Sequence, residues 1–294
     1  MAAFTLAHLS DPHLPPLPVP GLPDLAGKRA LGYLNWTRNR RHIHRRDVLD
    51  QLVTDLKAQA PDHIAITGDI VNLALEAEFA PARTWLESVG PADLVTLVPG
   101  NHDAYVRVTR HRFGQVFRDY TGGDDAAAGV LFPFVRRRGP LLLIGLSSAV
   151  PTPPLMATGW LGRRQLQALE RILAGSSTER AFRVLLIHHP LRSHSRAKRL
   201  TDAPELLALL GQFGVELVLH GHDHVHSTSW VQGPNGSIPV VGVPSASALA
   251  HGRYPAAAYN LFSIEQDGPA WRCMQAVRGL GEAGMQPLQT TRLL

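Results

Sequence analysis

Cysteine is almost absent from this chain of 294 residues: Cys273 is the only one, so no disulfide can close within it and no thiolate cluster can hold a metal. A lone thiol suits a reducing compartment, and we expect a cytoplasmic protein. Long apolar runs are also missing; none approaches the roughly 20 residues needed to span a bilayer. The start, Met1-Ala2-Ala3-Phe4, has neither the basic residues nor the long apolar stretch of a secretory signal, so the expectation is that little is cleaved away. No repeat of fixed period and no long low-complexity tract is present. Charged residues make up 18% and hydrophobic ones 45%, which excludes a disordered chain and suits a packed core. The net charge of +5 and pI of about 9.8 favour anionic partners without choosing among phosphorylated substrates, nucleic acid and an acidic membrane face.

What is present is an alternation of two periods. Apolar, β-rich runs recur at Phe4–Leu9, His63–Thr67, Leu94–Val98, Leu141–Leu146, Arg183–Ile187 and Val215–Leu219. Between them, helical spacing of apolar residues covers about Asp47–Ala60, Ala77–Ser88, Val106–Tyr120, Leu161–Leu173 and Pro204–Phe213. Strands alternating with helices define an α/β fold. After His224 the character changes. Ser229–Val231, Ile238–Val243, Tyr259–Ile264 and Trp271–Gln275 read as strands joined by Gly, Pro and Asn turns, which suggests antiparallel hairpins. No boundary splits the chain, so residues 1–294 are expected to form one domain. The exception is an insert at about 14–46, Pro-rich from Pro15 to Pro23 and ending in Arg38, Arg40, Arg41, Arg45 and Arg46.

Five fragments carry the chemistry: Asp11-Pro12-His13, Gly68-Asp69-Ile70-Val71-Asn72, Gly100-Asn101-His102-Asp103, His188-His189-Pro190 and Gly221-His222-Asp223-His224. Each follows an apolar run. In an open α/β sheet ligands gather beyond the carboxyl ends of strands, so fragments far apart in sequence converge. Asp, Asn and His donors without Cys form the inventory of a two-metal hydrolytic site for phosphate esters. A carboxylate can touch two metals and an imidazole cannot, which makes Asp69 the bridging candidate. Asp11, His13 and His224 would complete one shell, and Asn101, His188 and His222 the other. His189 competes with His188, and spacing does not decide between them. Two ions sharing a water would lower its pKa, and the resulting hydroxide would attack phosphorus in line with the leaving oxygen. His102 would face the substrate, protonating the departing oxygen or stabilising its charge, with an ordinary histidine pKa near 6.5. Asp103 is a candidate to orient it.

Most of the 15 histidines need another reading. His8, His42, His44, His63, His111, His194 and His251 are taken as ordinary surface or partly buried residues, and His220 and His226 as supporting ones. Arg136–Arg138 is taken as solvated surface. The 38–46 run, and Arg192, Arg196, Lys198 and Arg199, lie within reach of the ligand-bearing loops.

The ordered set of five fragments resembles the calcineurin-like metallophosphoesterase superfamily over Phe4 to about His226. The resemblance implies a four-layer αββα sandwich, two mixed sheets flanked by helices, with the β-rich tail in the second sheet and a binuclear centre at one edge. It places Asp11, His13, Asp69 and His224 on one metal, Asp69, Asn101, His188 and His222 on the other, and His102 as the catalytic histidine. It also selects His188, the first His of its motif. Asn72 stands where purple acid phosphatases carry a tyrosine ligand, which argues against a tyrosinate–iron centre. Asn72-Leu73-Ala74 replaces the Asp-Arg-Gly of phosphoprotein phosphatases. The wording Gly-Asp-Ile-Val-Asn and Pro-Gly-Asn-His-Asp is similar to class III cyclic-nucleotide and glycerophosphodiester phosphodiesterases, in which the 14–46 insert has no match.

The expectation is therefore a phosphodiesterase acting on a small phosphodiester with two transition-metal ions, Mn, Fe, Zn or Co. The alternatives are a pyrophosphatase of a nucleotide-sugar lipid at the inner membrane face, which would use Leu25–Trp36 and the Arg run as an amphipathic lid, or a phosphomonoesterase or nuclease of the same fold. Nucleic acid is the less favoured partner because no aromatic stacking platform interleaves with the basic runs. The sequence carries no signal for oligomeric state.

Overall fold

The structure is a computed structural model that describes residues 3–25, 27–107, 109, 111–124, 132–268 and 270–294. In chain order the strands are β1 (Phe4–Leu9), β2 (His63–Ile66), β3 (Val95–Leu97), β4 (Phe134–Arg138), β5 (Leu141–Gly145), β6 (Phe182–Leu186), β7 (Leu217–His220), β8 (Ser227–Gly233), β9 (Gly236–Gly242), β10 (Ala258–Asp267), β11 (Ala270–Gly281) and β12 (Gly284–Arg292). The helices are α1 (Lys28–Asn35), α2 (Arg41–Ile43), α3 (Arg46–Ala58), α4 (Glu76–Val89), α5 (Arg112–Val116), α6 (Arg118–Thr121), α7 (Arg163–Ser176) and α8 (Ala203–Phe213).

Two six-stranded mixed sheets form, in the orders β12-β11-β10-β1-β2-β3 and β4-β5-β6-β7-β9-β8. Within each, the motif-bearing strands run parallel: β1 with β2 and β2 with β3, β5 with β6 and β6 with β7. Side chains alternate between faces along a strand, and three apolar layers result. Leu6, Ala65, Leu141, Leu143, Val184 and Leu186 meet between the sheets. Ala7, Leu9, Ile64 and Ile66 pack against Leu49, Leu52, Leu56, Phe79 and Leu86 of α3 and α4. Leu142, Ile144 and Leu185 pack against Leu169 and Leu173 of α7 and Leu206 and Leu210 of α8. Helices thus cover the outer face of each sheet.

The tail departs from expectation. It does not enter one sheet: β8 and β9 extend the second, whereas β10, β11 and β12 extend the first. Moreover β9 pairs parallel with β7, beside its antiparallel hairpin partner β8. Strands β4 and β12 carry no clear apolar alternation. The helix expected at Val106–Tyr120 is instead two short turns, α5 and α6, and positions 108 and 110 lie outside the described residues. Arg136 is buried rather than solvated. Its guanidinium donates to the carbonyls of Gly122 (2.6 Å), Ala92 (2.8 Å), Val95 (2.9 Å) and Asp119. Such a site needs a planar fork of donors and so suits Arg alone. Arg137 and Arg138 do reach solvent, where they pair with Glu179 and Asp124.

The insert at 14–46 is packed against the rest of the chain. Leu14, Leu17 and Trp36 are buried in the layer between the first sheet and its helices. From Lys28 to Ile43 the backbone is helical throughout, with one π-type turn at Trp36–Arg40 between α1 and α2. Gly32 sets the docking distance of α1: a Cβ there would lie 2.5 Å from both Leu73 Cδ2 and Tyr105 Oη. A glycine inside a helix costs about 1 kcal/mol, which this close packing offsets. Among the described residues no helix is long and apolar enough to cross a membrane.

Candidate metal centre

All seven predicted donors converge, and they do so from both sheets. Asp11 and His13 follow β1, Asp69 follows β2 and Asn101 follows β3; His188 follows β6, and His222 and His224 follow β7. Asp11, His13, Asp69, Asn101, His188 and His222 are buried, and His224 is part-exposed. The strand ends bend sharply to achieve this. Asp11, His13, Asp69, His222 and His224 all have positive φ, between 38° and 70°, and make up five of the eight such non-glycine residues described. That conformation costs of order 1–3 kcal/mol per residue and gathers at functional sites. Gly100 and Gly221 permit close approach: a Cβ on the first would fall on the Asp69 carboxylate, and on the second on Ser10 and Asp11.

The donors face one another closely. His224 Nε2 lies 3.0 Å from Asp11 Oδ1 and 3.2 Å from His13 Nε2. His188 Nε2 lies 3.4 Å from Asp69 Oδ2, 3.2 Å from Asn101 Oδ1 and 3.3 Å from His222 Nδ1. Three groups, Asp11–Asp69–His188, His13–Asp69–His102 and His13–His44–His224, each place their nearest donor atoms within 4.8 Å of one another. Asp69 and His13 each belong to two of them.

Surrounding bonds fix the tautomers. His188 Nδ1 donates to the Thr67 carbonyl at 2.7 Å, so Nε2 is the nitrogen left to face the cluster, where a cation could replace its proton. His189 has both ring nitrogens engaged, Nδ1 with Ser148 Oγ at 2.7 Å and Nε2 with the Ala157 carbonyl at 3.1 Å. Of the two, His188 is the one whose second nitrogen lies near Asp69 and Asn101. Burial opposes charge on His188, but Asp69 and Asp11 outweigh it and raise its pKa to about 10. A pocket that forces a proton onto an imidazole is one suited to a cation. The buried His222 Nε2 and His13 Nδ1 have no partner. This donor set fits divalent metal ions.

Asp103 does not orient His102. Its carboxylate instead accepts the backbone N–H groups of Asp69 (2.8 Å), Gly100 (2.8 Å) and Val71 (3.1 Å), and so locks the loops after β2 and β3 together. The His102 ring is held by the Asn72 carbonyl, which accepts from Nδ1, and stacks on Tyr105 with centroids 5.3 Å apart. Its pKa is not ordinary: burial first, with Arg40 adding to it, pushes it down to about 4 against the pull of Asp69. Glu78 accepts from the backbone of Asn72, Leu73 and Leu75 and so stiffens the loop that holds His102.

Two residues of the basic insert enter the site. His44, taken from sequence as ordinary, is buried and packs on His13 with centroids 4.8 Å apart and on His224 at 6.0 Å. Ser247 Oγ at 2.9 Å from Nδ1 and the stacked Trp36 ring hold it. Arg40 Nη1 donates to His102 Nε2 at 3.2 Å. His251 also lines the recess. The remaining arginines of the run do not reach it; Arg45 and Arg46 pair with Asp47 and Asp50. The only sequence signal for His44 was its place at the end of a basic run near the ligand loops.

A recess of about 170 Å³ opens over Asp69, Asn101, His102, His222 and His224. It adjoins a cavity of about 350 Å³, and the two share Arg40, Asn101, His102, Ala157 and Lys198. The recess is thus lined by several of the predicted donors together with His102 and Arg40.

Comparison with known proteins agrees with this geometry. The family model of calcineurin-like phosphoesterases matches residues 4–226, and the chain belongs to that family. It is accordingly a phosphoric ester hydrolase with a metallophosphoesterase fold. A probable cyclic nucleotide phosphodiesterase of Synechococcus sp. is 26% identical over 223 residues, covering 74% of this chain and 77% of that protein. Among solved structures, a dimetal phosphatase from Danio rerio has a TM-score of 0.61 at 13% identity, covering 99% of this chain and 100% of that one. A purple acid phosphatase from yellow lupin has a TM-score of 0.60 at 12% identity, covering 99% of this chain and 53% of that one. At these identities the two structures speak for the fold alone.

Proposed function

We propose that the chain is a phosphodiesterase that acts on a small phosphodiester, and that Asp11, His13, Asp69, Asn101, His188, His222 and His224 hold a pair of divalent ions, Mn, Fe, Zn or Co. The convergence of these seven donors beneath a recess that His102 also lines carries the reading. Bound ions would supply Lewis acidity and lower the pKa of water. The chain's own residues do the rest. Asp103 and Glu78 keep the loops rigid, so the donors need little reorganisation when ions arrive. His102 is neutral in the free protein, with Nε2 turned to Arg40. A phosphodiester anion beside Nε2 favours the protonated ring, which then delivers a hydrogen bond or a proton to the leaving oxygen. The relation to a probable cyclic nucleotide phosphodiesterase supports a diester over a monoester.

The test is hydrolysis of bis-aryl phosphate against aryl phosphate with Mn²⁺, Fe²⁺, Zn²⁺ or Co²⁺ added singly. Diester turnover in at least one metal is expected, with Asn101→Ala and His102→Ala lowering it about 100-fold or more. Monoester turnover alone, or none with any metal, would sink the reading.

A second reading, a pyrophosphatase meeting an anionic membrane or a lipid-linked substrate, draws on the apolar rim of the outer cavity. Leu31, Leu155 and Met156 line it and are 49%, 90% and 38% exposed. Co-sedimentation with anionic vesicles separates the readings: retention that is lost in Leu31→Ser/Leu155→Ser favours the membrane, and no retention removes it.

A further inference from the structure

The outer cavity is lined by cations and by no carboxylate. Lys28, Arg40 and Lys198 border it, together with Leu31, Tyr105 and Met156. Lys28 Nζ donates to Thr152 Oγ1 at 2.7 Å and to the Met156 carbonyl at 3.0 Å, both neutral, and sits 4.6 Å from the centroid of the Tyr105 ring. Arg40 Nη1 bonds His102, while its Nη2 is buried without a partner. Among the described residues none of the three has a carboxylate oxygen within 4.0 Å. By contrast Arg29, Arg83, Arg183 and Arg278 each do. The nearby Asp69 attracts both Lys28 and Arg40 but does not line this cavity, so the cavity itself is arranged for an anion that arrives with the ligand. Arg40 and Lys198 line both the recess and the outer cavity, and Lys28 lines the outer cavity alone. They would therefore meet a group one bond system beyond the phosphoryl at His102.

We propose that Lys28, Arg40 and Lys198 form a second anion subsite that selects substrates carrying a phosphoryl group next to the scissile one, as in a pyrophosphate diester. Arg40 spans the boundary: Nη1 is at His102, and Nη2 is free to meet an oxygen of the bridging unit. Lys28 and Lys198 take the outer phosphoryl, and Leu31, Tyr105 and Met156 pack the organic group beyond it. The insert, absent from the motif pattern, supplies two of the three cations. The inference rests on the recess being the seat of the scissile phosphate.

Titration calorimetry on the Mn²⁺-loaded protein compares methylenebisphosphonate with methylphosphonate, so that no turnover is needed. Chelation by the bisphosphonate is common to all variants, and the informative quantity is the change in the affinity ratio. Lys28→Met and Lys198→Met should each lower that ratio by about tenfold, the size of one charge-assisted hydrogen bond. Lys28→Arg should retain most of it, and Lys57→Met, remote from the cavity, should leave it unchanged. An unchanged ratio in both lysine-to-methionine variants, or no bisphosphonate binding by the wild type, overturns the subsite. Hydrolysis of bis-aryl phosphate by the wild type is scored separately. If it fails while the lysine-dependent ratio holds, the diesterase reading falls and the subsite stands.

Discussion

His63 offers a clean measurement of what burial does in this fold. It opens β2, has no solvent exposure, and pairs Nε2 with Thr96 Oγ1 at 2.8 Å across to β3, while Nδ1 has no partner. Burial first, and then Arg138 and Arg136, lower its pKa from 6.5 to about 3. The unfolded chain binds a proton at this residue below pH 6.5 and the folded chain does not. The folded state is therefore penalised progressively as pH falls from about 6.5 toward about 3. At pH 5, 1.5 units below the unfolded value, the penalty is about 2 kcal/mol at about 1.4 kcal/mol per unit. His63→Gln keeps a bond to Thr96 without titrating. Urea unfolding of the metal-free protein at pH 7.5 and 5.0 should show the wild type losing about 2 kcal/mol more than the variant. Site histidines titrate in both proteins and cancel. Equal losses would refute the reasoning. His8, lowered to about 3 mainly by burial and held by Thr67 Oγ1 at 2.9 Å, should behave alike in His8→Gln.

Further outcomes follow from the geometry. His188→Ala should abolish metal retention after dialysis, measured by elemental analysis, whereas His189→Ala should retain metal and lose about 1–3 kcal/mol of stability from the stranded Ser148 and Ala157 groups. Gly100→Ala should weaken metal binding about 10–100-fold, because the new Cβ displaces the Asp69 carboxylate; wild-type affinity would contradict the close approach. Arg136→Met should lower stability by about 3 kcal/mol in denaturant titrations while metal content is unchanged, since it strands buried carbonyls far from the donors.

The parallel strands were legible because each is a continuous apolar run, and the donors because each follows such a run at a turn. What escaped depended on partners distant in sequence. Strand β4, Phe-Val-Arg-Arg-Arg, reads as a charged surface until Gly122, Ala92, Val95 and Asp119 are seen to offer carbonyls to Arg136. The tail's strands were visible, but a strand's own residues do not state which sheet it joins, and here the tail divides between both. His44 looked ordinary because its neighbours Ser247 and His224 lie about 200 residues away in the chain. The pKa of His102 required knowing how deeply the fold would bury it and, secondarily, that Arg40 would be turned toward it.

That four donors hang from one sheet and three from the other has a mechanical consequence. Between the sheets the packed layer is apolar, which resists separation but little resists sliding, and polar ties such as that of Arg136 on β4 to the Val95 carbonyl on β3 sit at its margin. A slip of one residue along a strand, about 3.3 Å, would pull His188, His222 and His224 away from Asp69 by more than a coordination bond can stretch. Ions held across that seam would act as rivets, so shear of the sandwich and release of metal become one event seen from two sides. Chelators should then loosen amide protons deep in the interface between the sheets, well beyond the donors themselves.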